Sequence, residues 1–351
     1  MGQIEIDSHK LHLHPERVAE WKEKGDCYPI YVEIGPTNKC NHSCVYCALD
    51  WVKKGRVDID KNVMLKTLEE MASCGVKSVM FAGEGEPLIH ENICDFVRTA
   101  HDLGLKCSIT TNGVLFDKEK AERCLPYLSW IRFSVDAGTR ENYARIHRTR
   151  ERDFDVVIKN IGGAVKIKEE NGYKVNIAAQ ALLIPETIGE AEKLTQIIKS
   201  TGADNIQIKP YSKHPNSINE FNVDYTILKD LKIKVEKLMD EKFQVIYREE
   251  AMERLETERE YKECLGIHFF ALIDAKGNIL PCNIFYDKQE FFYGNLYENG
   301  FKEIWDGEKR KNVLEKLKKQ GMIGCREICR VDPHNRWLWR IKNPNAFDAF
   351  I

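Results

Sequence analysis

Ile30-Tyr-Val-Glu-Ile34 runs through Gly35-Pro-Thr-Asn-Lys39 into Cys40-Asn-His-Ser-Cys44-Val-Tyr-Cys47. The first five residues are mostly apolar and read as a strand. The loop that follows carries three cysteines in the pattern C-x3-C-x2-C. Three thiolates on one loop can hold three irons of a cubane four-iron four-sulfur cluster, which is normally bound by four Cys. The fourth iron is then open to a small ligand. Two blander readings compete, inert core thiols and a zinc site. Free Cys is often buried, but Lys39, Asn41, His42 and Ser43 make this loop polar. Zinc takes four ligands, commonly from paired knuckles, and no matching second knuckle lies nearby.

The segment resembles the cluster-binding loop of the radical S-adenosylmethionine (SAM) enzymes. That resemblance implies that Cys40, Cys44 and Cys47 hold a [4Fe-4S] cluster whose open iron chelates the amino and carboxylate groups of SAM. It further implies that Tyr46, the aromatic residue before the last Cys, touches the adenine. Reductive cleavage of SAM would give a 5′-deoxyadenosyl radical that abstracts hydrogen from a substrate C–H bond. Reduced flavodoxin or ferredoxin is the implied electron donor.

The 351 residues suffice for one large and one small domain. A net charge of −2 without long single-sign blocks gives no reason to expect nucleic acid or a membrane surface as partner. Apolar runs stop well short of the ~20 residues that span a bilayer. Met1 to Lys10 is polar and lacks the apolar core of a signal peptide. Twelve cysteines without an export signal argue for reduced thiols and metal ligation in the cytoplasm.

From Tyr28 to about Tyr211 short β-branched runs alternate with helical patterns, as in parallel α/β units. The expected strands are Ile30–Ile34, Ser78–Ala82, Lys106–Thr110, Trp130–Val135, Lys174–Leu183 and Asn205–Lys209. The helices between them are expected near Val63–Ser73, Ile93–Leu103, Lys118–Cys124, Arg140–Ile146, Asp155–Glu170 and Ile188–Ser200. Gly75, Gly104, Gly172 and Gly202 fall just past helix ends, where a left-handed residue is wanted. Periodicity alone fits a doubly wound sheet equally well. The resemblance implies the α/β fold of a partial (β/α)6 TIM-like barrel, with a smaller C-terminal β-hairpin-plus-helix auxiliary-cluster domain. In either fold the loops after the strand C-termini form the site, and the Cys40 loop follows the first strand. The expected organisation is an N-terminal extension over 1–27, the barrel over 28–223, a Lys- and Glu-rich helical connector over 224–263, and an auxiliary unit with a closing helix over 264–351.

Phe81-Ala-Gly-Glu-Gly-Glu-Pro87 follows the second strand. It resembles the family's glycine-glutamate-proline motif for the SAM amino group, with one extra residue, so Gly83, Glu84, Gly85 and Glu86 are all candidates. The competing reading is an ordinary βα loop. Thr110-Thr-Asn-Gly113 and Ser134-Val-Asp136 close the third and fourth strands. Alternation points Ser134 and Asp136 to one side, and the resemblance carries Asn112, Ser134 and Asp136 over as SAM contacts. A turn at Asn112-Gly113 and a helix cap at Asp136 are the plainer alternatives. Arg148 sits near a carboxylate-binding Arg of some members, or is an exposed helix end. Gln180, Gln207 and Lys209 alternate with apolar neighbours and face either a polar substrate or the rim.

Cys264 and Cys282 bracket Gly277 in C-x12-G-x4-C, with Asp274-Ala-Lys-Gly-Asn278 reading as a hairpin turn; Cys325 and Cys329 follow. Four thiolates close a cluster completely. The spacing resembles the opening of the SPASM auxiliary domain or its shorter relative Twitch, and Gly294–Trp305 resembles the stretch between their cysteine groups. Four cysteines fit one auxiliary [4Fe-4S] cluster of the Twitch kind; zinc or structural thiols are the alternative. Cys27, Cys74, Cys94, Cys107 and Cys124 are isolated and read as core residues. His334–Arg340 reads as a docked helix or a cover over the barrel mouth.

These readings point to a radical SAM oxidoreductase. Its expected substrate is a small carbohydrate-like or amino-cyclitol metabolite, dehydrogenated or epimerised. No general acid–base or nucleophile motif is present, and none is needed for radical generation. A peptide-modifying maturase is the second reading, disfavoured by the lack of an extra N-terminal leader-binding domain. A zinc-stabilised binding protein without catalysis is the third.

Overall fold

The strand-and-helix rhythm appears in a computed structural model that describes residues 9–53, 55–223, 228–253 and 257–350. Strands β1 (Tyr31–Ile34), β2 (Ser78–Phe81), β3 (Lys106–Thr111), β4 (Leu128–Ser134), β5 (Asn176–Leu183) and β6 (Asn205–Pro210) pair in parallel, each with the next. The helices are α1 (Pro15–Lys24), α2 (Lys61–Ser73), α3 (Ile93–Asp102), α4 (Lys118–Cys124), α5 (Arg140–His147), α6 (Arg152–Asn171) and α7 (Ala191–Ser200). Local chemistry starts and stops them. Asp60 caps α2 by accepting from the Asn62 and Val63 N–H groups, and Gly172 ends α6 in the left-handed region at φ +66°.

The expected barrel is extended at both edges. Within 224–263, read as a helical connector, α8 (Leu228–Glu236) and α9 (Glu249–Glu253) flank strand β7 (Gln244–Tyr247), which adds in parallel to β6. The C-terminal unit contributes β8 (Phe270–Ile273), β9 (Asn278–Leu280) and β10 (Gly294–Asn295). β8 and β9 form the hairpin expected around Asp274–Asn278, and β8 pairs in parallel with β1. The result is one ten-stranded sheet in the order β10-β9-β8-β1-β2-β3-β4-β5-β6-β7. Helices α10 (Phe301–Asp306), α11 (Glu308–Gln320) and α12 (Asp332–Lys342) complete the chain.

Strand alternation sorts side chains between two environments. Val32, Ile34, Val79, Phe81, Ile109, Ile131, Phe133, Ile177, Ile206 and Ile208 are fully buried in the main hydrophobic core. Between them, Glu33, Ser108, Thr110, Arg132, Ser134, Gln180, Gln207 and Lys209 occupy the opposite, concave face. A polar interior next to an apolar outer layer is the sheet pattern of a ligand-holding barrel. A second small core joins Leu11, Val18 and Trp21 to Leu265, Phe269 and Leu338. It fastens the N-terminal segment to α12, so the closing helix sits at the N-terminal ends of the strands. Among the described residues no helix is long and apolar enough to cross a membrane.

The tie between chain ends is also ionic. Fully buried Arg310 on α11 donates to both carboxylate oxygens of Asp26 at 2.6 and 2.8 Å and lies 3.8 Å over the Trp305 ring. Despite burial, hydrogen bonds from Arg310 and His268 hold the Asp26 carboxyl well below the usual range. Asp26→Ala would leave the guanidinium with only the Trp305 carbonyl as an acceptor. It should cost stability near the lower end of about 3–5 kcal/mol, read as a lower urea midpoint; an unchanged midpoint would remove the tie from the account.

Candidate radical-cluster site and auxiliary thiol site

Cys40, Cys44 and Cys47 are half-buried and unbridged on the loop leaving β1. The loop is pinned to the end of α5, with Ser43 N–H donating to His147 O at 3.1 Å and Val45 N–H to Ile146 O at 2.8 Å. Electrostatic coupling of Cys44 to both Cys40 and Cys47 places the three thiols together, and burial pushes the Cys44 thiol well up. Three convergent sulfurs fit a three-iron attachment. Loading must release protons from such thiols.

The β2 loop locks against this one. Glu86 N–H donates to Lys39 O at 2.8 Å. A Cβ at Gly85 would stand 2.3 Å from Thr37 O and 2.5 Å from Lys39 O, so only glycine permits the approach. Gly83, at φ +110°, passes equally close to Gly35. The Glu86 carboxylate accepts from the Thr111 hydroxyl (2.6 Å), Asn112 N–H (2.8 Å) and Leu88 N–H (3.1 Å), which spans β2 and β3. Asn112 in turn donates its side-chain amide to Asn41 Oδ1 within the cysteine loop at 2.7 Å.

Glu84 points elsewhere. Its Oε1 accepts from Ala275 N–H at 2.9 Å in the β8–β9 turn, so it joins the barrel to the C-terminal unit. Burial, then the nearby Asp274 charge, pushes its carboxyl up to about 8. Tyr46 donates to Asp136 Oδ2 at 2.7 Å, and Asp136 Oδ1 accepts from Leu182 N–H at 2.6 Å. Asp136 holds a left-handed φ of +60° and thus brackets the cysteine loop, β4 and β5. Ser134 is half-buried on the inner face beside Gln180. Arg148 stands apart, exposed and left-handed at φ +49° at the end of α5.

Sequence reasoning missed two imidazoles. His42 and His147 are buried behind the loop, their ligand atoms within 4.8 Å of one another and of Cys44 Sγ. His147 Nε2 lies 3.0 Å from Val135 O, and a carbonyl only accepts, so Nε2 carries the proton and Nδ1 faces Cys44 Sγ at 3.4 Å. Burial lowers both imidazoles to about 4. His42 sits inside the quoted loop and was visible; His147, some hundred residues on, was not.

The second thiol set converges as well. Cys264 precedes β8, Cys282 follows β9, and Cys325 and Cys329 lie between α11 and α12. All four couple electrostatically. Cys325 donates to Cys329 and lowers its thiol, aided by the Arg326 and Arg259 guanidiniums, while burial pushes Cys264 up to about 12. Asn335, 1 % exposed, accepts from Gly266 N–H at 2.7 Å and donates to Cys264 Sγ at 3.5 Å. Four thiols in one buried spot fit a fully ligated cluster.

The profile of the Radical SAM superfamily matches residues 34–198, and that of the SPASM iron-sulfur cluster-binding domain matches 264–330. The chain thus carries a radical SAM domain followed by a SPASM domain towards its C-terminus, and its homologues are radical SAM enzymes. Its domains imply a SAM-binding [4Fe-4S] cluster, SAM and auxiliary iron-sulfur ligation. A Pyrococcus furiosus tungsten-containing aldehyde ferredoxin oxidoreductase cofactor-modifying protein is 25% identical over 301 residues, 80% of this chain and 81% of that one. A GTP 3′,8-cyclase of Chlorobaculum tepidum is 34% identical over 132 residues, 37% of this chain and 39% of its own length. Among solved structures, Streptococcus suis SuiB bound to S-adenosylmethionine superposes with a TM-score of 0.67 at 19% identity, covering 95% of this chain and 79% of that chain. It shares the fold.

Cys44→Ala should abolish SAM cleavage, measured as 5′-deoxyadenosine; cleavage at the wild-type rate would refute the assignment. For Glu84 the sign is that of an acid kept neutral by folding. Stability is full below about 4.5 and falls as pH rises toward about 8, because the unfolded chain ionises first. The thermal midpoint of apo Glu84→Gln should therefore gain on wild type across that window. Parallel curves would show that Glu84 is not held neutral.

Proposed function

We propose that this radical SAM enzyme is an oxidoreductase that dehydrogenates or epimerises a carbohydrate-like small molecule held on the concave face of the barrel. The observation that carries the reading is the place of the auxiliary thiols. A cavity of about 50 Å³ touches Cys282, Cys325 and Cys329 and also Glu33 and Leu272, inner-face residues of β1 and β8. The second thiol set therefore opens onto the same concave face of the barrel whose β1 strand leads into the cysteine loop. When bound, SAM and its cluster supply a radical that removes hydrogen from carbon, and an auxiliary cluster supplies an acceptor for the second electron.

The chain's own residues orient and enclose the substrate. Ser134, Gln180 and Gln207 form one row across β4, β5 and β6, with Gln180 only 6% exposed and its carboxamide oxygen unpartnered. Hydroxyl and amide groups in that spacing suit the vicinal hydroxyls of a sugar. Trp130, half-buried on β4, adds a flat apolar face. The printed name of the GTP 3′,8-cyclase relative supports a small-molecule substrate. Arg326 and Arg259 beside Cys329 favour a negatively charged sulfur set that accepts an electron.

Cys282→Ala should lower bound iron from about eight to about four per chain and keep some uncoupled SAM cleavage while losing substrate oxidation. Equal product yield in that variant would show that the auxiliary site takes no part. Modification of a co-expressed peptide, with no turnover of sugars, would replace the small-molecule reading by a maturase.

A further inference from the structure

We infer that the substrate is an anion: the barrel interior recognises a phosphate or carboxylate group through Arg132, with Trp130 as the platform beneath it. The inference deepens the proposed function and rests on it for taking the barrel interior as the substrate site.

A cavity of about 610 Å³ opens at the N-terminal ends of the strands, the side opposite the cysteine loop. Its described lining includes Lys10, Lys106, Arg132 and Arg330 and no Asp or Glu. Arg330 is neutralised by Glu33 on β1. Arg132 is not matched in this way. Among the described residues its guanidinium donates only to neutral acceptors, Gln207 Oε1 at 2.9 Å and the Thr110 hydroxyl at 3.2 Å. Its Nε is buried and has no partner among the described residues. The guanidinium carbon lies 5.2 Å from the Trp130 ring centroid.

A cation removed from water with neutral partners alone is costly. Burial, then the like charge of Arg330, lowers Arg132 to about 10, so it stays charged at neutral pH yet strained electrostatically. A second cation, Lys209, faces the same interior and feels Arg132 directly. The Asp136 carboxylate offsets part of the Lys209 charge. An acidic ligand in the cavity gives Arg132 the charged partner it lacks there. The guanidinium fork matches the oxygen spacing of phosphate and carboxylate, and the unpaired Nε provides a donor for it. The apolar ring beside it carries the body of the ligand while the acid is held at the fork.

Isothermal titration of the reconstituted, SAM-loaded enzyme with glucose 1-phosphate, glucuronate and glucose tests this. At least one acidic sugar should bind about tenfold or more tightly than glucose, as expected for a charge-assisted pair. The preference should shrink with rising salt and vanish in Arg132→Gln. The phosphate and carboxylate arms identify which acid the fork prefers. Equal affinity for all three sugars, no binding of any, or an undiminished preference in Arg132→Gln overturns the inference. Should that variant fail to retain iron, wild-type affinity that is independent of ionic strength overturns it equally. Binding is read here without turnover. A failed oxidation with intact anion preference therefore counts against the oxidoreductase reading alone.

Discussion

The pairing of β1 with both β2 and β8 is the constraint on which the rest depends. β1 carries the cysteine loop at its C-terminal end, and its ladder to β8 aligns Glu33 with Leu272. That register turns the hairpin of the C-terminal unit into a wall of the barrel. The auxiliary thiols flank this wall, so they share a cavity with inner-face residues rather than standing in a separate lobe. Glu84 reinforces the seam by accepting from Ala275 N–H. A parallel strand pair between distant segments closes a long loop, and its entropic cost must be offset by burial. Fully buried Val32, Ile34, Ala271 and Ile273 supply that burial.

Around this seam the site is a set of mutual restraints. The β1 and β2 loops touch backbone to backbone at Gly85, and Glu86 fixes the third loop to the second through two accepted hydrogen bonds, with a third from Leu88 N–H inside its own loop. Asp136 does the same for the fourth and fifth strands. Several residues that resemble SAM contacts thus have their polar atoms engaged by protein neighbours. Their physical role is to hold the loops at a fixed separation. Pre-organisation of this kind places reacting atoms without a reorganisation cost at the moment of reaction. Two of the buried polar atoms without a partner among the described residues, Arg132 Nε and the Gln180 carboxamide oxygen, lie on the concave face.

Much of this was legible in the chain. The C-x3-C-x2-C loop after an apolar strand gave the chemistry, and period-2 alternation set Ser134 on one side of its strand and Gln207 and Lys209 on one side of theirs, whereas Arg132 was not singled out. β7 was hidden because Gln244-Val-Ile-Tyr247 is only four residues inside a Lys- and Glu-rich stretch that reads as helix. His42 lies in the cysteine loop itself, but its pairing with His147 has no local signal, since the two meet only when α5 folds back on the cysteines.

The sequence by itself determined the three-cysteine loop, the strand-helix alternation and polar positions on the inner-face strands, because each is encoded within a few neighbouring residues. Tertiary structure alone decided that the auxiliary unit shares the barrel's sheet, that Glu84 and Glu86 serve different seams, and that Arg132 faces a cavity without a described carboxylate. Those outcomes depend on which distant backbones and charges become neighbours. Spacing along the chain carries no information about that, whereas burial and ladder register do.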